Sequence, residues 1–201
     1  MNNINTIIFD FGGVLIDWNP RYMYRDEFEE SSEMEHFLSN VCTDDWNLQQ
    51  DKGRSLAEGT RILQNKFPEH TAKIQLYYYQ WEKMIKGYIP QNVTVLRLLK
   101  EKYKLYGLTN WSAETFPIVF ERYSFFKLFD GIVISGVEKM IKPDKKIFEL
   151  MLERYHLAVK KSLFIDDNKN NIQAAKEMGF ATIHVQEKTD LKTELNALGL
   201  I

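Results

Sequence analysis

Four short stretches of the chain carry side chains suited to handling a charged oxygen centre. Asp10 lies in Phe9-Asp10-Phe11-Gly12-Gly13-Val14-Leu15, and Thr109 lies in Gly107-Leu108-Thr109-Asn110-Trp111-Ser112. Lys142 precedes Pro143, and Asp166-Asp167 ends the run Phe164-Ile165-Asp166-Asp167-Asn168. A carboxylate followed by two glycines stands where a ligand can approach the backbone closely. A threonine hydroxyl followed by free amides at a helix start suits a phosphate oxygen. A fixed lysine neutralises phosphate charge. Adjacent carboxylates repel each other and resist desolvation, and a divalent cation relieves both costs. Magnesium takes oxygen ligands, often one or two carboxylates with water and phosphate oxygens. Singly, most of these stretches have an ordinary reading too. Asp10 suits a turn or cap, Asn110 or Ser112 suits the N-cap of a following helix, and a lone lysine is usually solvated. Only the Asp166-Asp167 pair favours chemistry by itself.

Such a set works only if the fold gathers it. Five apolar or β-branched runs stand out: Thr6 to Asp10, Lys104 to Thr109, Gly131 to Ser135, Ser162 to Asp166 and Ala181 to Val185. Each reads as a buried strand, because parallel strands covered on both faces lose polar alternation. Helical patterns lie between the last four. Val95, Leu96, Leu99 and Tyr103 share one face, as do Ile147, Met151 and Tyr155; Pro143 opens this second helix. Ile172 and Ala175 belong to a helix ending at Gly179, a C-cap. Strands alternating with helices predict an α/β fold, a doubly wound, Rossmann-like parallel sheet. In such a sheet, ligands bind beyond the carboxyl ends of the strands.

Residues 17–89 break the rhythm. Phe28, Met34, Phe37, Leu38 and Val41 suggest one apolar helix face. Ile74, Tyr77, Tyr78, Trp81, Ile85 and Tyr88 fall at helical spacing and read as a packing seam. The stretch is too long for a loop. It reads as a helical subdomain inserted after the first strand, with Pro90 marking the return. The segment Trp46 to Arg54, mixing aromatic, polar and glycine residues, reads as a loop facing a substrate or as a plain helix connection.

The four stretches follow one another in order, each just after a different predicted strand. Together they resemble the four motifs of the haloacid dehalogenase superfamily over nearly the whole chain, and the insertion is similar to that superfamily's first type of helical cap. The resemblance implies a core of residues 1–16 and 90–201 and a cap of 17–89. It also implies a magnesium-dependent phosphatase for a small phosphorylated metabolite. In this reading Asp10 is the nucleophile and forms an aspartyl-phosphate; as an ordinary aspartate it is ionised at neutral pH. Thr109 and the Asn110 amide hold the phosphate, and Lys142 pairs with both. Asp10, the Gly12 carbonyl, Asp166 and Asp167 hold Mg2+, with the direct ligand of the last pair left open. The sequence departs from the commonest pattern at Gly12, where most phosphatases of the superfamily carry a second aspartate as general acid and base. That form is similar to a branch that includes bacterial glucose-1-phosphate phosphatases, which points to a sugar phosphate. Asp17 is a substitute acid or a surface residue at the cap hinge. The rival readings are a metal-free 2-haloacid dehalogenase and a non-catalytic module that binds a phosphorylated ligand or a partner protein.

Bulk properties narrow the partners. The 201 residues are 44% hydrophobic, enough for one core and a modest insertion. A net charge of −2 gives no footprint for nucleic acid or an anionic membrane. No apolar run approaches the roughly 20 residues needed to span a bilayer, and no signal peptide is evident. A single cysteine, Cys42, fits a reducing cytoplasm. His36, His70, His156 and His184 are scattered away from the motifs, His184 reading as a core strand residue. Oligomeric state is left open.

Overall fold

The computed structural model describes residues 4–201. Its strands are β1 (Thr6–Phe9), β2 (Ile16–Trp18), β3 (Ile85–Tyr88), β4 (Lys104–Thr109), β5 (Gly131–Ile134), β6 (Ser162–Asp166) and β7 (Ala181–His184). Five of them form one parallel sheet in the order β5-β4-β1-β6-β7. All five sequence-read strands are present, each within a residue of its expected end. Every residue of β1 and β6 is buried, whereas most of β5 and β7 is half-buried, as befits edge strands. Ile7, Ile8 and Phe9 have no exposed surface, and burying each such side chain is worth about 1.5–3 kcal/mol.

Helices α1 (Arg21–Tyr24), α2 (Ser31–Asn40), α3 (Asp44–Asp51), α4 (Leu56–Lys66) and α5 (Thr71–Tyr79) lie between β2 and β3. Helices α6 (Pro90–Lys100), α7 (Phe116–Arg122), α8 (Ser135–Glu138), α9 (Lys145–Arg154), α10 (Lys169–Met178) and α11 (Leu191–Ala197) accompany the sheet. Helix α10 buries Ile172 and Ala175 and ends on Gly179 at φ 98°, a left-handed C-cap. Val95, Leu96 and Leu99 of α6, and Ile147 and Met151 of α9, are buried as their spacing requires. No helix among the described residues is long and apolar enough to cross a membrane.

Four local expectations are corrected. Ile85 and Tyr88 are not helical: α5 stops at Tyr79, a 3-10 turn follows, and residues 85–88 pair antiparallel with β2. Gly87, at φ 154°, cannot continue a right-handed helix, and Ile16–Trp18 offers it a ladder. Most of Trp46 to Arg54 is helix α3, not loop. Thr43 caps it by accepting from the Trp46 amide, and Asp44 and Asp45 favour its N-terminus. No helix opens directly after Thr109. The loop runs to Phe116, and neither Asn110 nor Ser112 is the cap residue of α7. Pro143 lies outside α9, whose N-cap is Asp144.

Candidate active site

Sheet register makes the first contact. Phe9 sits level with Ile165 of β6 and Gly107 of β4, so Asp10 and Asp166 emerge side by side at the carboxyl rim. The Asp10 amide donates to Ile165 O at 2.8 Å, and its Oδ1 accepts from the Phe11 amide at 2.7 Å. Lys142 arrives from the loop after α8 and is 1% exposed. Its Nζ donates to Leu108 O at 2.8 Å and Asp166 Oδ2 at 2.6 Å, and lies 3.0 Å from Asp10 Oδ2. An ammonium has three N–H donors, and here it meets three acceptors.

Asn110 fixes that lysine. Its Oδ1 accepts from the Lys142 amide at 2.8 Å and its Nδ2 donates to Lys142 O at 2.9 Å. Both oxygens of Asp166 are already engaged. Oδ1 accepts from the Asn168 amide at 2.7 Å and Asn171 Nδ2 at 3.0 Å, and Oδ2 from Lys142 and Asn171. Asn171, on α10, had no sequence signal beyond lying one turn into the helix after Asp166. Asp167 is exposed, and its carboxyl presses on the backbone of Gly13. A Cβ built on Gly13 would come within 2.1 Å of Asp167 Oδ2, and Gly13 has φ 68°, so only glycine fits. His184 Nε2 is hydrogen-bonded to Asp167 O at 2.9 Å. This histidine, remote from every motif in the chain, therefore reaches one through the pairing of β6 with β7.

Thr109 is buried at the end of β4, and its Oγ1 has no hydrogen-bond partner. An unsatisfied buried hydroxyl costs about 1–3 kcal/mol; a ligand oxygen beside it would relieve that cost. One oxygen from each of Asp10, Asp166 and Asp167 lies within 4.8 Å of the others. Hard oxygen donors so crowded fit a small divalent cation.

Electrostatics agree with that fit. Burial pushes the Asp10 carboxyl up to about 8; Lys142 pulls it down, and Asp166 and Asp167 push it further up. In the metal-free protein, burial thus favours the protonated form of Asp10 more than in an ordinary aspartate. Desolvation, then the charge of Asp166, pushes Asp167 up to about 6. Burial alone would lower the Lys142 ammonium, but Asp10 and Asp166 beside it overcome this and hold it above its ordinary value.

Next to this cluster is a cleft of about 80 Å³. Gly12, Asn110, Trp111 and Ser112 line it from the core, and Asn47, Asp51, Tyr78 and Trp81 from the helical segment, with Trp18 of β2. Trp81 and Trp111 meet edge to face at 5.9 Å. Asp17 is not among the lining residues; it accepts a hydrogen bond from the Tyr22 hydroxyl at 2.8 Å.

Likeness to known proteins matches this geometry. A family model described as haloacid dehalogenase-like hydrolase matches residues 4–179. The chain is 24% identical over 192 residues to a sesquiterpene phosphatase of Aspergillus oryzae, covering 95% of this chain and 94% of that one. It is 26% identical over 203 residues to a phosphorylated carbohydrates phosphatase of Thermotoga maritima, covering 96% and 91%. A solved HAD family enzyme of Bacteroides thetaiotaomicron, in magnesium complex, shares the fold with a TM-score of 0.75 at 24% identity, covering 96% of this chain and 98% of that one. With motif order, sheet topology and the family match in agreement over most of its length, this chain belongs to the haloacid dehalogenase-like hydrolases.

Proposed function

We propose that the protein is a magnesium-dependent phosphomonoesterase that works through an aspartyl-phosphate on Asp10. The observation that carries this reading is the charge cluster itself: one lysine wedged between two buried carboxylates, a third carboxylate beside them, and the unpartnered Thr109 hydroxyl at the same rim. Asp10, the Gly12 carbonyl and Asp167 would hold Mg2+. Asp167 is the direct ligand of its pair, because both oxygens of Asp166 already accept hydrogen bonds from protein donors. Bound magnesium supplies charge compensation, letting an anionic nucleophile and an anionic phosphate share one site.

The protein's own groups do the rest. Lys142 stays protonated and orients the Asp10 oxygen while balancing phosphate charge. Thr109 Oγ1 and the Asn110 amide receive phosphate oxygens. Attack by Asp10 Oδ on phosphorus expels the alcohol, and water then cleaves the acyl phosphate. Residues 17–89 act as a cap that covers the site and excludes water. The cleft suits a small organic group, with Trp18, Tyr78, Trp81 and Trp111 as apolar faces and Asn47 and Ser112 as polar partners. A sugar phosphate, whose C–H face packs on aromatic rings, matches this lining, in keeping with the phosphorylated carbohydrates phosphatase among the relatives.

A panel of sugar phosphates, nucleotides and phosphoacids, assayed with and without EDTA beside a 2-haloacid, tests the reading. Phosphate release abolished by EDTA and restored by magnesium is expected. Halide release untouched by EDTA, with no phosphate release, would replace it with dehalogenation.

A further inference from the structure

We propose that Asp51, at the end of α3, is the general acid and base of the reaction, supplying from the helical segment the carboxyl group that Gly12 lacks. The assignment rests on the phosphomonoesterase reading above.

Position is the first argument. Asp51 and Gly12 line the same cleft, one from helix α3 and one from the loop after β1. Gly12 lies two residues beyond the nucleophile, and a Cβ built there would meet nothing within 4 Å. The core thus leaves open the place where a second carboxyl would stand, and the same cleft holds one on α3. In an in-line displacement the leaving oxygen departs on the side away from Asp10. A departing group lodged in this cleft would meet Asp51, the one carboxylate among its lining residues.

Its surroundings suit a group that carries a proton. Asp51 is the last residue of α3, where the helix dipole disfavours negative charge. Asn47 Nδ2 donates to its Oδ2 at 3.1 Å, and the Ser112 amide faces it from the core. No lysine or arginine forms a salt bridge with it among the described residues. Burial pushes its carboxyl up to about 7, only partly offset by the Ser112 amide. The group is also held in place, since Ser135 Oγ of the core donates to the Asp51 carbonyl. Asp17 offers no comparable placement, being hydrogen-bonded to Tyr22 and absent from the cleft lining.

The step balances as follows. Asp10 Oδ forms a bond to phosphorus while the P–O bond to the leaving group breaks. That bond's electron pair goes to the leaving oxygen, which takes the proton from the Asp51 carboxyl, and the alcohol departs. Asp51, now a carboxylate, accepts a proton from water as the water oxygen attacks phosphorus. The P–O bond to Asp10 breaks, phosphate leaves, and both carboxyl groups return to their starting states.

The test compares two esters on the intact protein with magnesium: p-nitrophenyl phosphate, whose leaving group needs no proton, and a sugar or alkyl phosphate, whose leaving group does. In the first turnover, Asp51→Asn should slow release of the alcohol from the second by about 10²–10⁴-fold while slowing p-nitrophenol release only a few-fold, and later turnovers should slow on both. Adding Gly12→Asp to Asp51→Asn should recover part of the loss on the second ester. Asp51→Ala should give the same split if asparagine folds poorly. Equal losses on both esters in the first turnover would overturn the acid role alone. A wild-type protein that hydrolyses neither ester would overturn the phosphatase reading and the acid role with it.

Discussion

Asp10 and Asp167 owe their properties to neighbours that leave them little room. Gly13 is the tightest of these, with a left-handed φ and an Asp167 oxygen where a Cβ would stand. Gly13→Ala should therefore displace Asp167 and weaken magnesium binding at least tenfold by titration calorimetry; unchanged affinity would mean that Asp167 is not a ligand. Asp10, Lys142, Thr109 and Asp166 were legible in the sequence because each ends or follows an apolar run. Asp51 was not legible as an acid. It lies mid-chain in an insertion, and its relation to Gly12 arises only when α3 packs against the core. His184 was missed for a similar reason, its link to Asp167 being made by a strand pair 17 residues apart in the chain.

At the scale of elements, the site depends on loops from different strands being tied together. Asn110 joins the end of β4 to the lysine loop through two hydrogen bonds to the Lys142 backbone. Asn110→Ala would leave the buried Lys142 amide and carbonyl unpaired, so a loss of about 1–3 kcal/mol is expected in urea unfolding. A change below the error of that measurement would show that water replaces the clamp without cost. The five parallel strands were readable because burial on both faces leaves continuous apolar runs. The β2–β3 ribbon was not. Its strands have three and four residues, and Ile85 and Tyr88 continue the helical spacing of α5. Only pairing with β2 decides that stretch, and pairing is not written in local periodicity.

For the whole molecule, crowded carboxyl groups link folding, protons and metal. Burial pushes the Asp10 and Asp167 carboxyls of the metal-free fold up to about 8 and about 6, from 3.8 for an ordinary aspartate. Between those values the folded protein keeps protons that the unfolded chain has released. Their stabilising contribution is full below 3.8 and is lost as pH rises through 6 and then 8. Asp51, raised to about 7, acts in the same direction. Paired carboxylates such as Asp130, held below the ordinary value, titrate beneath this window. The Tm of EDTA-treated protein should fall from about pH 5 to about pH 8, and the gain on adding magnesium should widen over the same range. A metal-free Tm that rises with pH would contradict the electrostatic description. The central claim, that Asp10 carries the phosphoryl group beside a bound magnesium, is tested most directly by fluorine NMR of the protein with beryllium fluoride, which mimics an acyl phosphate. Bound resonances that need magnesium and vanish in Asp10→Asn are expected. Resonances that persist in Asp10→Asn, or none at all in a protein that hydrolyses phosphate esters, would contradict it.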